Sequence, residues 1–255
     1  MGEKRFAVLL CAEDSEYVKK LYGGYFEVFV GMLGDEGETW DLYRVINGDF
    51  PQDEELKCYD GFVLTGSCSD AHGNDLWILN LVNLLKKLDS MNKKILGICF
   101  GHQILCRALG GKTGRAASGW DLGVRMINFL PSKHFSSALK LPVYECHRDE
   151  VWELPPHAEV IGRSDKTAVE VFKYKEHIMG IQGHPEYTKG LFLSIVNRLL
   201  HCNLIQESEA VVGKTRAEEQ VPDGEAWKRL CKSFLKGSKP TAITSLKPTT
   251  TLSLL

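Results

Sequence analysis

The stretch from Lys93 to Gly110, KKILGICFGHQILCRALG, limits the fold of this chain more than any other. A short apolar run enters Gly97-Ile98-Cys99-Phe100-Gly101 and a helical pattern leaves it at once, so the backbone must turn sharply from strand to helix at Cys99. With no Cβ at Gly97 or Gly101, neighbouring backbone can approach closely and a strained residue between them is tolerated. The turn also sets Cys99 at a helix N-terminus, where the positive end of the helix and its free N–H groups are expected to favour a thiolate. A lone cysteine is more often a buried structural residue; the G-x-C-x-G frame is what points to a nucleophile.

The surrounding sequence predicts an α/β fold with a mostly parallel central sheet. Phe6 to Cys11, Leu42 to Ile46, Gly61 to Leu64 and Lys94 to Ile98 read as buried strands. Between them, Tyr25 to Leu33 and Leu76 to Leu88 carry apolar residues at helical spacing, the alternation that covers a parallel sheet on both faces. From about Trp120 to Val171, short apolar segments broken by Pro131, Pro142 and Pro155-Pro156 predict an added region of antiparallel strands and loops. Gly190 to His201 reads as a helix, and Glu207 to Gly224 as a polar surface excursion. Trp227, Leu230, Cys231, Phe234 and Leu235 follow the spacing of a docked amphipathic helix. One catalytic domain is therefore expected over residues 1–237. Residues 238–255, mostly Ser, Thr, Pro, Lys and Leu, are expected to be a tail that cannot bury enough surface to order itself.

Composition narrows the function classes. A net charge of −2 over 255 residues gives no electrostatic footprint for nucleic acid or for an anionic membrane. No apolar segment approaches the length of a membrane span or of a signal peptide. The eight cysteines contain no C-x-x-C pair and no dense framework, so a reduced chain in the cytosol is expected. Cys99 and His102 lack a second ligand pair at matching spacing, and Gly111-Lys112-Thr113 follows a helix rather than the strand a phosphate-binding loop requires. No metal or cofactor is expected.

A thiol nucleophile needs a general base, and the base needs an orienting group. Gly183-His184-Pro185-Glu186 follows the apolar run Ile178 to Ile181. Proline biases His184 to an extended backbone, and in an extended segment side chains two apart face the same way. Glu186 can thus hold one imidazole nitrogen while the other faces Cys99. His147, in CHRDEV, is the second candidate base.

Gly97-Ile98-Cys99-Phe100-Gly101-His102-Gln103 and Gly183-His184-Pro185-Glu186 resemble the two signature blocks of class I glutamine amidotransferases, whose fold is flavodoxin-like. Tyr22 to Val30, Asp60 to Ala71, Gln182 to Tyr187 and Leu230 to Gly237 are similar to the plant γ-glutamyl peptidases, which trim glutathione conjugates during synthesis of sulfur-containing defence compounds such as glucosinolates. The resemblance implies that Cys99 attacks the δ-carbonyl of a γ-glutamyl group, that His184 moves protons and that Glu186 orients it. It further implies an oxyanion hole from the backbone N–H groups of Phe100 and Ser67, and a glutamyl head-group contact at Gln103. Thr65-Gly66-Ser67 departs from the Gly-Gly-Pro common in the family, which leaves open whether the hole is preformed. The expected partner is a small γ-glutamyl substrate of glutathione type, with no nucleic acid or membrane. The alternative is a glutaminase subunit that supplies ammonia to a separate synthetase; a non-catalytic or redox-sensing relative is the third reading.

Overall fold

The computed structural model describes residues 3–131 and 139–237. In chain order the elements are β1 (Arg5–Leu9), α1 (Glu16–Tyr22), α2 (Tyr25–Leu33), β2 (Thr39–Tyr43), β3 (Gly61–Leu64), α3 (Leu76–Ser90), β4 (Lys94–Ile98), α4 (Phe100–Ala108), β5 (Lys112–Arg115), β6 (Asp121–Phe129), β7 (Lys140–His147), β8 (Asp149–Glu153), β9 (Ala158–Arg163), β10 (Val171–Tyr174), β11 (Ile178–Ile181), α5 (Lys189–His201), α6 (Glu207–Glu219) and α7 (Gly224–Lys236).

Nine strands form one sheet in the order β2-β1-β3-β4-β11-β10-β9-β6-β7. The β2-β1-β3-β4-β11 half is parallel, and β10, β9, β6 and β7 extend it with antiparallel pairings. The mostly parallel sheet with an antiparallel region is therefore as the sequence predicts. Strands β5 and β8 pair separately.

Buried strands expose alternate residues to opposite faces. Ala7 and Leu9 of β1 join Phe62, Ile95 and residues of α3 and α4 in one core. Phe6 and Val8 face the other way, into a second core with Phe29 of α2 and Trp227 of α7. A third cluster packs α5 and α6 against β6 and β7. Register positions the chemistry: Ile98 and Ile181, the last residues of adjacent parallel strands β4 and β11, pair directly. Segments leaving those carboxyl ends open into the crevice where α/β sheets bind ligands.

Two expectations are corrected. The second strand lies at Thr39–Tyr43 rather than Leu42 to Ile46, because Val45–Asn47 closes a 3₁₀ turn ended by Gly48 at φ 81°. The polar surface excursion expected over Glu207 to Gly224 is mostly helical: it forms α6, whose start is fixed by a capping box between Gln206 and Glu209. Its buried face carries Ala210, Gly213 and Ala217, too small to give an apolar stripe. Small residues let the helix sit close to the sheet; a Cβ on Gly213 would lie 2.8 Å from Leu122 Cβ. The helix over Trp227 to Leu235 is α7, as expected. The predicted tail, 238–255, lies outside the described residues. No helix among the described residues is long and apolar enough to cross a membrane.

Candidate active site

Cys99 occupies the single residue between β4 and α4, at φ 53° and ψ −103°. A positive φ on a residue with a side chain costs about 1–3 kcal/mol and persists only where the surroundings impose it. Here Cys99 N–H donates to Ile181 O at 2.8 Å, and Cys99 O accepts from Gln103 N–H at 3.1 Å. The flanking glycines are required by space. A Cβ on Gly97 would lie 2.5 Å from the Gly101 carbonyl, and one on Gly101 would lie 2.8 Å from Leu64 Cβ and O. The strand, the turn and the helix thus close on one another only without side chains at 97 and 101.

The ionisation of Cys99 differs from the expectation. Burial pushes its thiol well above the ordinary range, and Cys146, Glu145 and Glu186 push the same way, while the Phe100 N–H opposes them. The helix terminus is outweighed, because Cys99, only 6% exposed, has lost most of its water. Cys99 rests as a thiol, and a thiolate has to form by handing the proton to a neighbour.

His184 stands three residues past the end of β11. Its backbone N–H donates to Tyr144 O at 2.7 Å in an isolated antiparallel bridge, which fixes the extended conformation that Pro185 favours. His184 Nδ1 lies 2.8 Å from Glu186 Oε1. The Tyr187 ring stacks on the imidazole at 4.0 Å between centroids and an interplanar angle of 13°. Gly66 locates the imidazole relative to the thiol: a Cβ there would be 2.9 Å from His184 Cε1 and 3.7 Å from Cys99 Cβ. Both members of the pair are buried, His184 at 3% and Glu186 at 8% exposure.

The loop after β3 completes this wall. Thr65 Oγ1 accepts from Cys11 N–H and donates to Gly66 O, both at 3.0 Å, which ties the loop to the end of β1. Ser67 Oγ accepts from Ser69 N–H at 3.1 Å. None of Gly66, Ser67 and Cys68 has a positive φ, so this loop does not need the backbone freedom of a Gly-Gly-Pro sequence. Cys99, His184, Glu186, Ser67 and Gln103 all line one cavity of ≈ 240 Å³.

Residues 29–200 match the family model described as glutamine amidotransferase class-I. The chain belongs to the class I glutamine amidotransferase family. It is 50% identical to γ-glutamyl peptidase 5 of Arabidopsis thaliana over 92% of this chain and 96% of that one. To γ-glutamyl peptidase 2 of the same plant it is 48% identical, over 92% and 97% of the two chains. Among solved structures, a glutamine amidotransferase from Thermotoga maritima superposes with a TM-score of 0.71 at 20% identity, covering 94% of this chain and all of that one. The last likeness establishes the class I amidotransferase fold alone.

In this amidotransferase-family site the remaining predicted residues divide. The Gln103 side chain is buried; its Nε2 donates to Asp149 O at 2.9 Å and to Gln182 Oε1 at 3.0 Å. What Gln103 offers a ligand is therefore its carbonyl oxygen, an acceptor. His147, the second candidate base, also lines the cavity; its Nδ1 lies 2.9 Å from Asp149 O and its Nε2 3.3 Å from Glu145 Oε2. His102 packs on Phe172 in the core and does not line the cavity, so it forms no metal site with Cys99. Among the described residues two groups of ligand-type side chains cluster, Asp70-His72-Asp149 and the buried Glu145-His147-Glu170. In the first, Arg115 already bridges the carboxylates, at 3.1 Å from Asp70 and 2.8 Å from Asp149. Sequence reasoning missed Gly66 and Tyr187. Tyr187 directly follows the histidine block, but nothing in a one-dimensional pattern says that its ring folds back on His184.

Proposed function

We propose that this chain hydrolyses γ-glutamyl amide bonds, with Cys99 as nucleophile, His184 as general base and acid, and Glu186 as the group that orients His184. The observation that carries the reading is the convergence at Gly66 of the strained Cys99 turn and the His184–Glu186 pair. His184 takes the thiol proton as sulfur attacks the δ-carbonyl, which forms the C–S bond and sends the carbonyl electrons to oxygen. The Phe100 and Ser67 N–H groups receive that oxyanion. Collapse of the intermediate breaks the C–N bond, and His184 returns the proton to the departing amine. Water, deprotonated by His184, then attacks the γ-glutamyl thioester and releases glutamate and the free thiol. Gln103 accepts a hydrogen bond from the glutamyl head group.

Identity near one half to proteins named γ-glutamyl peptidases supports a peptide leaving group over ammonia. The chemistry uses no ATP, metal or protein partner. Cytosolic residence is part of the same reading, supported by eight cysteines that are all free.

The test is a steady-state comparison of glutathione, an S-conjugate of glutathione and glutamine, with purified chain and a chelator present. The expected result is a higher kcat/KM for the glutathione compounds, with glutamate and a cysteinyl-glycine product. Glutamine as the better substrate, or no turnover until a second protein is added, would replace this reading with the glutaminase subunit.

A further inference from the structure

Arg198 stands on α5, half-buried in the wall of the cavity that also holds Cys99 and His184. A guanidinium carries five donors in a fixed fork and cannot shed its charge, so a buried one is normally met by carboxylates. Arg125 is met by Asp121 and Asp165, and Arg115, also in the cavity wall, by Asp70 and Asp149. Arg198 has no carboxylate partner among the described residues. Its side-chain contact is Cys68 Sγ, 3.6 Å from Nη2, a weak acceptor. Burial pushes the Cys146 thiol and the Tyr25 hydroxyl up, and the Arg198 charge opposes this at both. The unneutralised charge therefore projects into the cavity between α2, β7 and the loop after β3. Arg148, the third arginine lining the cavity, is solvent-exposed, where screening weakens it.

The walls of the cavity differ in kind. Gln103 of α4 offers an acceptor suited to the ammonium of a glutamyl head group, beside Asp149 of β8, whose carboxylate Arg115 already holds. The α5 wall offers a cation without an anion. Free glutamine has no second carboxylate to place there, because its leaving group is ammonia. A γ-glutamyl peptide does, and two residues beyond the scissile carbonyl reach about 7 Å, a cavity-scale distance.

We propose that Arg198 determines specificity by receiving the terminal carboxylate of the leaving group, so that the favoured substrates are γ-glutamyl peptides with a free C-terminal carboxylate. The proposal rests on the γ-glutamyl reading above. It gives a physical source for preferring a peptide to glutamine: contact energy remote from the reacting carbonyl is used to position it and raise the rate. A charge-assisted bidentate pair is the geometry an arginine provides and a lysine does not.

The experiment measures kcat/KM of the parent, Arg198→Lys and Arg198→Met on four substrates. These are glutathione, its C-terminal glycinamide, its analogue amidated at the glutamyl α-carboxylate, and γ-glutamyl-p-nitroanilide. The parent should favour glutathione over the glycinamide by roughly 10- to 100-fold, the range of a hydrogen bond between charged groups. In Arg198→Met that ratio should fall to about one, and Arg198→Lys should restore part of it, which also guards against a variant that merely misfolds. A parent ratio near one overturns the proposal, as does a ratio that Arg198→Met leaves intact. Loss in Arg198→Met of discrimination against the α-amidated analogue alone overturns it by moving the guanidinium to the head group. Turnover of the anilide without carboxylate preference sinks the inference but spares γ-glutamyl hydrolysis, whereas inertness on all four substrates ends both.

Discussion

His184 Nδ1 and Glu186 Oε1 are 2.8 Å apart, and both residues are almost fully buried. A buried carboxylate facing an imidazole holds one tautomer and one ring orientation, and stabilises the imidazolium when a proton arrives. Tyr187, stacked on the same ring, limits its rotation from the other side.

That relationship orders the losses on substitution. Glu186→Gln keeps size and burial but no longer supports an imidazolium; kcat should fall by roughly 10²-fold or more, with the fold retained. His184→Ala should cost more, since it removes the proton carrier itself. Steady-state kinetics with far-UV circular dichroism checks both. If His184→Ala were as active as the parent, the base would have to be sought elsewhere, His147 first.

Cys99→Ala and Cys99→Ser should each lose roughly 10⁴-fold or more in kcat, the scale of removing a nucleophile that acts as part of a unit. Intact-mass spectrometry after a γ-glutamyl-directed electrophile should place one adduct on the parent and none on either variant. Normal turnover without Cys99 would refute covalent catalysis through it.

Gly66→Ala tests the position of the imidazole without touching a reacting group. The new Cβ would meet His184 Cε1 at 2.9 Å, so the ring must shift by a few tenths of an ångström. Misplacement on that scale can cost up to about 10²-fold in kcat, while Tm should move little because the site is an open cavity wall. Activity equal to the parent would mean that the ring position is not critical.

His102 supplies a pH test of stability. Burial lowers its pKa from the usual 6.5 to about 3. The unfolded chain therefore binds a proton below pH 6.5 that the folded chain refuses, and stability from this residue is lost as pH falls from 6.5 toward 3. His102→Gln cannot titrate, so its Tm should decline less steeply than the parent's across that window in thermal unfolding. Parallel curves would show that His102 is not held neutral.

The candidate site was legible in the sequence because it resides in short contiguous patterns. G-I-C-F-G specifies a strand-to-helix turn by local sterics, and H-P-E sets two side chains on one side of an extended segment. The parallel strands were legible for the same reason, as apolar runs bounded by breakers. Helix α6 was not, because its buried face is made of alanine and glycine and its contacts lie on β6, about 90 residues earlier in the chain. Only the tertiary structure decided that β4 and β11 are neighbours, and that adjacency brings Cys99 to His184 across 85 residues of sequence. It also decided ionisation and charge balance. The thiol is raised rather than lowered because burial depends on everything packed around it, and no carboxylate among the described residues meets Arg198 because of which side chains the fold brings near, which no local pattern records.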